Sequence, residues 1–562
     1  MEGLTTPMSK ITFLLCLFFS TFVFAEPGDG IRYLPVQDAG RIKPFDTFAK
    51  ETLELVYGKK QYKPKEDTKA VPAHWVVLTW MLSPESWVNR PLFEVKHHEI
   101  LEKLKLPIDK KYFSGEELFK SENFVNLMQE LQNKRESKEK LTPYFQAIQR
   151  IENQFFIFRE MASGKLLKIY PVPDKDAWLS VADLPTDIQP AFLEISKNVA
   201  TYLGQISDTT APEDQVKAVA EKLDQSILAF QEIANKSDPE KYKATNKVKT
   251  EVFYYDMHPF RLAYIGYLIA VLILLFLWIR NLDTGMGFAW FFVGVGFALH
   301  IFGFAFRIYL AERPPVTNMY ETVIWASFGA VLFSIILEIV YKYKVILLGG
   351  CLMGLFALVV ADSAPAILDP SLQPLEAVLR SNYWLIVHVM TISISYAAYM
   401  LAFGLGDLGL IYFAINEEKY AEQIQKTTTG CYRAMQIGVA FLAPGIILGG
   451  IWADYSWGRF WGWDPKETWA LIALLGYIII LHARLVGWLK NFGTLAAGVI
   501  TFNLVIMAWY GVNFVLGAGL HSYGFGAGGI EYVAVFVGLH ILFVAYSYII
   551  HANRKSIAKK AT

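Results

Sequence analysis

"HPFRLAYIGYLIAVLILLFLWIR", residues 258–280, divides the chain. After Arg261 it runs apolar to Arg280, close to the roughly 20 residues a helix needs to cross a bilayer. Most of the charge precedes it, and nearly all the long apolar runs follow. Nine candidate spans emerge, at about 260–280, 287–310, 321–341, 345–361, 383–413, 431–451, 467–488, 494–517 and 530–551. The fourth is short, and the fifth is long enough to project from the membrane. The pattern predicts an all-α polytopic membrane protein, with about nine transmembrane helices (residues 258–562) behind a polar domain.

The chain has 562 residues, 54% of them hydrophobic, and a formal net charge of zero. A zero balance gives no sign of nucleic-acid binding. At the start, Lys10 precedes the apolar run "ITFLLCLFFSTFVFA", and Val23-x-Ala25 suits signal peptidase. Residues 1–25 therefore read as a cleaved signal peptide, with an uncleaved anchor as the alternative. Residues 26–257 form the polar domain. In "LPVQDAGRIKPFDTFAKETLELVYG", Pro35 and Gly40 punctuate a turn, and Asp46 can cap a helix through Leu53 and Val56. "EELFKSENFVNLMQELQNK", "YFQAIQRIENQFFIF" and "EDQVKAVAEKLDQSILAFQEIA" repeat apolar residues every three or four positions, so this domain is predicted mostly helical. His97 and His98 are neighbours and point to different faces of a helix, which makes them surface residues rather than a metal site. Cys351 and Cys431 are far apart in apolar segments and there is no CxxC, which argues against disulfide exchange or a zinc site.

If the signal peptide delivers residue 26 outside the cytoplasm, nine spans leave the C-terminus inside. The charges agree. Predicted inner connections hold Arg280, Lys342, Lys344, Lys419, Lys426, Arg433, Arg484 and Lys490, and the tail adds Arg554, Lys555, Lys559 and Lys560. Outer loops hold only Arg313, Arg380, Arg459 and Lys466, as the positive-inside rule requires.

Between spans six and seven, on the outer side, stands "WGRFWGWDPKETW", residues 457–469, with Trp452 just upstream. An aromatic belt explains one or two interfacial indoles, not four among fixed charges. The pairs Trp457/Trp461 and Trp461/Trp463 can form a broad apolar shelf with N–H donors at its rim. Arg459 or Lys466 can meet carboxylates on it. The stretch alone fits a platform for a flat ligand or a structural re-entrant loop.

Two histidines favour the platform. His388 opens span five at its outer end, and His521 lies in "GAGLHSYGFGAGG", the outer loop after span eight. Imidazoles on opposite sides of a planar shelf can ligate a porphyrin iron from both axial positions. His482 and His300 lie within spans, where ionisable groups are costly. Each is read either as a transient internal ligand or as a helix–helix hydrogen bond, the latter favoured for His300. His540 in span nine reads as structural.

These motifs together resemble the haem-handling family that includes CcsA, CcmC and CcmF. "WGRFWGWDPKETW" resembles its WWD signature. "ERPPVTNMYETVIW" (312–325), "SNYWLIVHVMTISISYAAY" and "LHSYGFG" are similar to the CcsA type over essentially the whole membrane half. "LPVQDAGRIKPFDTFA" resembles a segment preceding the CcsA portion in fused CcsBA proteins.

The resemblance implies cytochrome c biogenesis in a bacterial cytoplasmic (inner) membrane. Haem b, as substrate and bound ligand, would sit at the outward WWD site. It implies His388 and His521 as axial ligands, His482 as a transient iron ligand, and Trp457, Arg459, Trp461, Trp463 and Asp464 as the haem-holding segment. The expected product is haem joined by thioethers to CxxCH of apocytochrome c, with no catalytic side chain beyond haem positioning. Asp464 would orient the loop, and Glu467 would begin span seven. One departure matters: the several spans of the CcsB portion, with their own histidine, have no match here. That implies a separate CcsB/ResB-like membrane partner, or His300 as substitute. The alternative function is a CcmC-like transporter or loader that hands haem to a chaperone. A third is a structural subunit without haem.

Overall fold

The computed structural model describes residues 27–63, 69–137, 141–173, 175–208, 210–280, 282–364, 367–374, 383–516 and 529–561. The signal-peptide reading of residues 1–25 and the placement of His521 lie outside them. The chain falls into two compact units, one ending at Met257 and the other beginning at His258.

In the N-terminal unit, Ala39 and Gly40 both take positive φ (48° and 78°) and close a hairpin of β1 (Pro35–Asp38) on β2 (Arg41–Pro44). Paired positive-φ residues match the twist of a two-residue hairpin. The helix Phe45–Tyr57 follows directly. Asp46 is not its cap: it sits in the first turn, buried, and binds Arg32, Lys50 and His74. Arg41 reaches Glu251 with two bonds of 2.7 and 2.9 Å, tying the hairpin to the helix Val248–Met257. The amphipathic segments form the helices Glu122–Glu136, Pro143–Ala162 and Glu213–Ser237. The first of these segments breaks at Lys120–Ser121, behind a short helix capped by Ser114. Their apolar faces meet in one core around Phe45, Leu53, Trp80, Ile148 and Phe230.

In the second unit, nine described helices are long and apolar enough to cross a bilayer, and the chain is a multi-pass membrane protein. They are α1 (Pro259–Arg280), α2 (Met286–Ala311), α3 (Met319–Tyr341), α4 (Val345–Ser363), α5 (Tyr383–Asn416), α6 (Ala421–Trp457), α7 (Pro465–Leu485), α8 (Asn491–Ile506) and α9 (Ile530–Ala561). From Met507 to Leu516, α8 continues as a π-helix. Helix α5 is central and touches α3, α4, α6, α8 and α9. Its Tyr399 stacks flat on Tyr477 of α7, with ring centroids 3.7 Å apart. Helix α6 exceeds its predicted span at both ends and carries Pro444 inside it.

Helix α9 is the least enclosed: only 6% of its most apolar stretch is buried. Polar contacts hold it to α5 and to Glu417 just beyond it. His540 Nε2 lies 3.3 Å from Asp407 Oδ2, and His551 pairs with Glu417. Arg554 donates to the last carbonyls of α5, at Phe413 (2.6 Å), Ala414 (2.9 Å) and Ile415 (2.9 Å). A cation at a helix C-terminus satisfies carbonyls that have no intrahelical partner.

Candidate functional site: a cavity beside the tryptophan loop

A cavity of about 220 Å³ opens where α3, α5, α6, α7 and the π-helical end of α8 converge. Its walls are Ile386, His388, Val389 and Ile392 of α5, Gly449, Gly450 and Trp452 of α6, Phe460 and Trp461 of the following loop, and Lys466, Glu467 and Ala470 of α7. Pro314, Val316–Met319, Thr322, Trp509 and Asn513 complete the lining.

His388 is fixed by the backbone of α6. Its Nδ1 lies 2.8 Å from the carbonyl oxygen of Gly445. A carbonyl only accepts, so in this contact Nδ1 is the donor. Metal-binding histidines are commonly held in this way, with one ring nitrogen on an outer backbone partner. The ring lies on Gly449: a Cβ there would come within 2.7 Å of Nδ1 and 3.0 Å of Nε2. A Cβ at Gly450 would meet Phe460 Cζ at 2.6 Å. The "PGIILGG" stretch of α6 thus allows two aromatic rings to sit directly on its backbone. Sequence reasoning missed this, although the glycine spacing was its visible signal.

The tryptophans do not form the expected flat shelf. Because α6 continues to Trp457, that indole leaves the loop and packs edge-on against buried Trp452 (4.6 Å, 66°). Trp452 is nearly parallel to the His388 ring (6.5 Å, 9°). Trp461 and Trp463 are perpendicular (5.8 Å, 89°). Trp463 has φ 56° and is 70% exposed, away from the cavity lining. The wall is therefore Trp452, Phe460 and Trp461.

The loop's charges have separate tasks. Asp464 caps α7, its carboxylate accepting from the Lys466 N–H (2.9 Å), while Glu467 accepts from the N–H groups of Gly462 (2.8 Å) and Asp464 (3.2 Å). This capping box is typically worth about 1 kcal/mol and fixes the exit angle of the loop. Arg459 lies 3.4 Å from Glu467 and over the Trp457 ring, off the cavity wall. Lys466 lines the cavity.

The lining that precedes α3 rests on a buried triad. Glu321 at the start of α3 accepts from Arg307 (2.7 Å) and Arg313 (2.7 Å), and all three are almost wholly enclosed. The second guanidinium charge is met by carbonyls: Arg307 donates to Pro370 (2.9 Å), and Arg313 to Gln373 (2.8 Å). The Thr317 N–H also binds Glu321 (2.9 Å), which locks the Pro314–Met319 wall in place. Neither Glu321 nor this pairing was singled out from sequence.

The internal histidines separate clearly. His300 is fully buried, with Nδ1 3.2 Å from the Tyr267 hydroxyl and Nε2 3.1 Å from the Ile324 carbonyl. Both nitrogens are engaged in helix packing. His482 lies 2.8 Å from the Ile478 carbonyl of its own helix and is exposed on α7. Among the described residues, no cluster of three or more His, Cys, Asp or Glu could hold a metal ion.

A family model described as "Cytochrome C assembly protein" matches residues 316–521, which take in most of the cavity. NrfI of Wolinella succinogenes is 27% identical over 516 residues, covering 87% of this chain and 53% of NrfI. That match reaches into the N-terminal unit. The cytochrome c biogenesis protein CcsA of Synechococcus sp. (strain CC9902) is 31% identical over 297 residues, or 46% of this chain and 95% of CcsA. CcsA of Chlamydomonas reinhardtii is 35% identical over 218 residues, or 38% of this chain and 61% of that protein. The chain thus spans about half the length of NrfI and nearly all of the cyanobacterial CcsA.

Proposed function

The chain belongs to the CcsA-type cytochrome c biogenesis proteins, and from that premise we propose that its cavity holds haem for covalent attachment to apocytochrome c. Haem is the substrate. His388 Nε2 takes one axial position of the iron and His521 the other, while Trp452, Phe460 and Trp461 border the ring. The observation that carries this reading is the placement of His388, held by the Gly445 carbonyl on the wall of a mostly apolar cavity beside Trp452 and Trp461.

The chemistry is positioning. The histidine of CxxCH replaces one axial imidazole, which brings the substrate's two thiols to the haem vinyl groups. Each thiol adds across a vinyl double bond: a C–S bond forms, and the thiol proton goes to the neighbouring carbon. Nothing is oxidised, and no side chain of this protein serves as nucleophile. Alignment of this kind can lower a barrier by roughly 7–11 kcal/mol at its best.

In this reading the chain lies in a bacterial cytoplasmic membrane, with the N-terminal unit and the tryptophan loop outside and the C-terminus inside. His482, exposed on α7, meets haem in transit where a CcsB/ResB-like partner supplies the opposing ligand. The test is co-expression with an apocytochrome, with and without such a partner, followed by a stain for covalent haem. Product is expected only with the partner present. Bound haem without product in either arm would instead favour a transporter that hands haem onward.

A further inference from the structure

Of the two cations in the tryptophan loop, only Lys466 faces the cavity. Among the described residues its ammonium hydrogen-bonds Asn513 Oδ1 at 3.4 Å, and no carboxylate lies within 4.0 Å of it. The two acids nearest in sequence, Asp464 and Glu467, are committed to backbone N–H groups of the capping box. An ammonium on the wall of a mostly apolar cavity favours an anionic group seated against it. Asn513 comes from the π-helical turn of α8, a geometry often found at functional sites. Its Nδ2 donates to the Trp509 carbonyl (2.8 Å), which turns Oδ1 toward Lys466.

We propose that Lys466, oriented by Asn513, is the cavity's carboxylate-binding group, and that Arg459 is not. The ligand group is a carboxylate carried at the rim of a flat apolar ligand. Resting on the function proposed above, it is a haem propionate. Arg459 fails the same role because Glu467 and the Trp457 face already occupy its guanidinium.

The experiment uses the full chain in detergent, titrated with iron protoporphyrin IX and with its dimethyl ester, which lacks the negative charges. Wild type is expected to bind the free acid roughly tenfold to a hundredfold more tightly than the ester. Lys466→Gln should remove that preference by weakening the free acid alone, and unchanged ester binding certifies the fold. Lys466→Arg should keep most of the preference. The inference is overturned if wild type binds both compounds equally, or if Arg459→Gln abolishes the preference and Lys466→Gln does not. If wild type binds neither compound, the haem reading itself is wrong.

Discussion

Gly449→Ala is the sharpest perturbation the site offers. The added methyl would stand 2.7 Å from Nδ1 and 3.0 Å from Nε2 of His388. Ordinary heavy-atom contacts lie near 3.5–4.0 Å, so the imidazole must recede by about 1 Å. Such a shift breaks the 2.8 Å bond to the Gly445 carbonyl and unseats the ring. Overpacking costs about 1–3 kcal/mol and the lost hydrogen bond about 0.5–1.5 kcal/mol. Haem affinity should therefore fall by roughly tenfold to a thousandfold. Helix α6 does not suffer, since alanine favours a helix interior over glycine by about 1 kcal/mol. The assay is haem absorbance of the purified protein, beside thermal unfolding in the same detergent. Gly538→Ala is the control, because nothing lies within 4 Å of its position. A Gly449→Ala protein with wild-type haem content and spectrum would refute the idea that His388 is a ligand seated by α6.

Further tests follow from the same geometry. His388→Gly and His521→Gly should each abolish covalent haem on a co-expressed apocytochrome, and exogenous imidazole should restore part of it. Normal maturation by both variants would dismiss the axial pair. Glu321→Gln leaves Arg307 and Arg313 enclosed without their anion, a change that costs about 3–5 kcal/mol in comparable buried pairs. A clear drop in the thermal midpoint is expected, and an unchanged midpoint would deny the triad its role. Asp46 bears on acid stability. Burial alone would push its carboxyl up, but the His74 hydrogen bond and the charges of Lys50 and Arg32 outweigh that and hold it well below the usual carboxylate range. Its stabilising contribution is therefore complete above the unfolded value near ~3.9 and disappears as pH falls through the lower folded one. Tryptophan fluorescence should show a flatter acid limb for Asp46→Asn, and an identical limb would count against the assignment.

Hydropathy located the membrane helices because nine runs of apolar residues are hard to bury any other way. It could not see that α6 continues to Trp457, since "ADYSW" is polar enough to read as loop while still forming helical hydrogen bonds. That error spread to the indoles. Pairing Trp457 with Trp461 assumed one continuous loop, whereas helix phase turns Trp457 toward Trp452 and a left-handed residue turns Trp463 away. The capping role of Glu467 was legible because Asp-Pro-x-Glu before an apolar run carries its own local geometry. The glycine seat and the π-helical turn were not. A glycine shows its purpose only when the ring that rests on it is known, and wider helical winding leaves little trace in composition.

Helix α9 has a fixed rotational phase despite its bare flanks. Each residue of an α-helix advances about 100°. A slip by one position would swing His540, His551 and Arg554 away from Asp407, Glu417 and the α5 carbonyls together. Greasy surfaces tolerate sliding, but three spaced fasteners do not, so this helix has one angular setting or none. Insertion of a single alanine between His540 and His551 would split the set, leaving the upper fastener engaged and the lower two out of step.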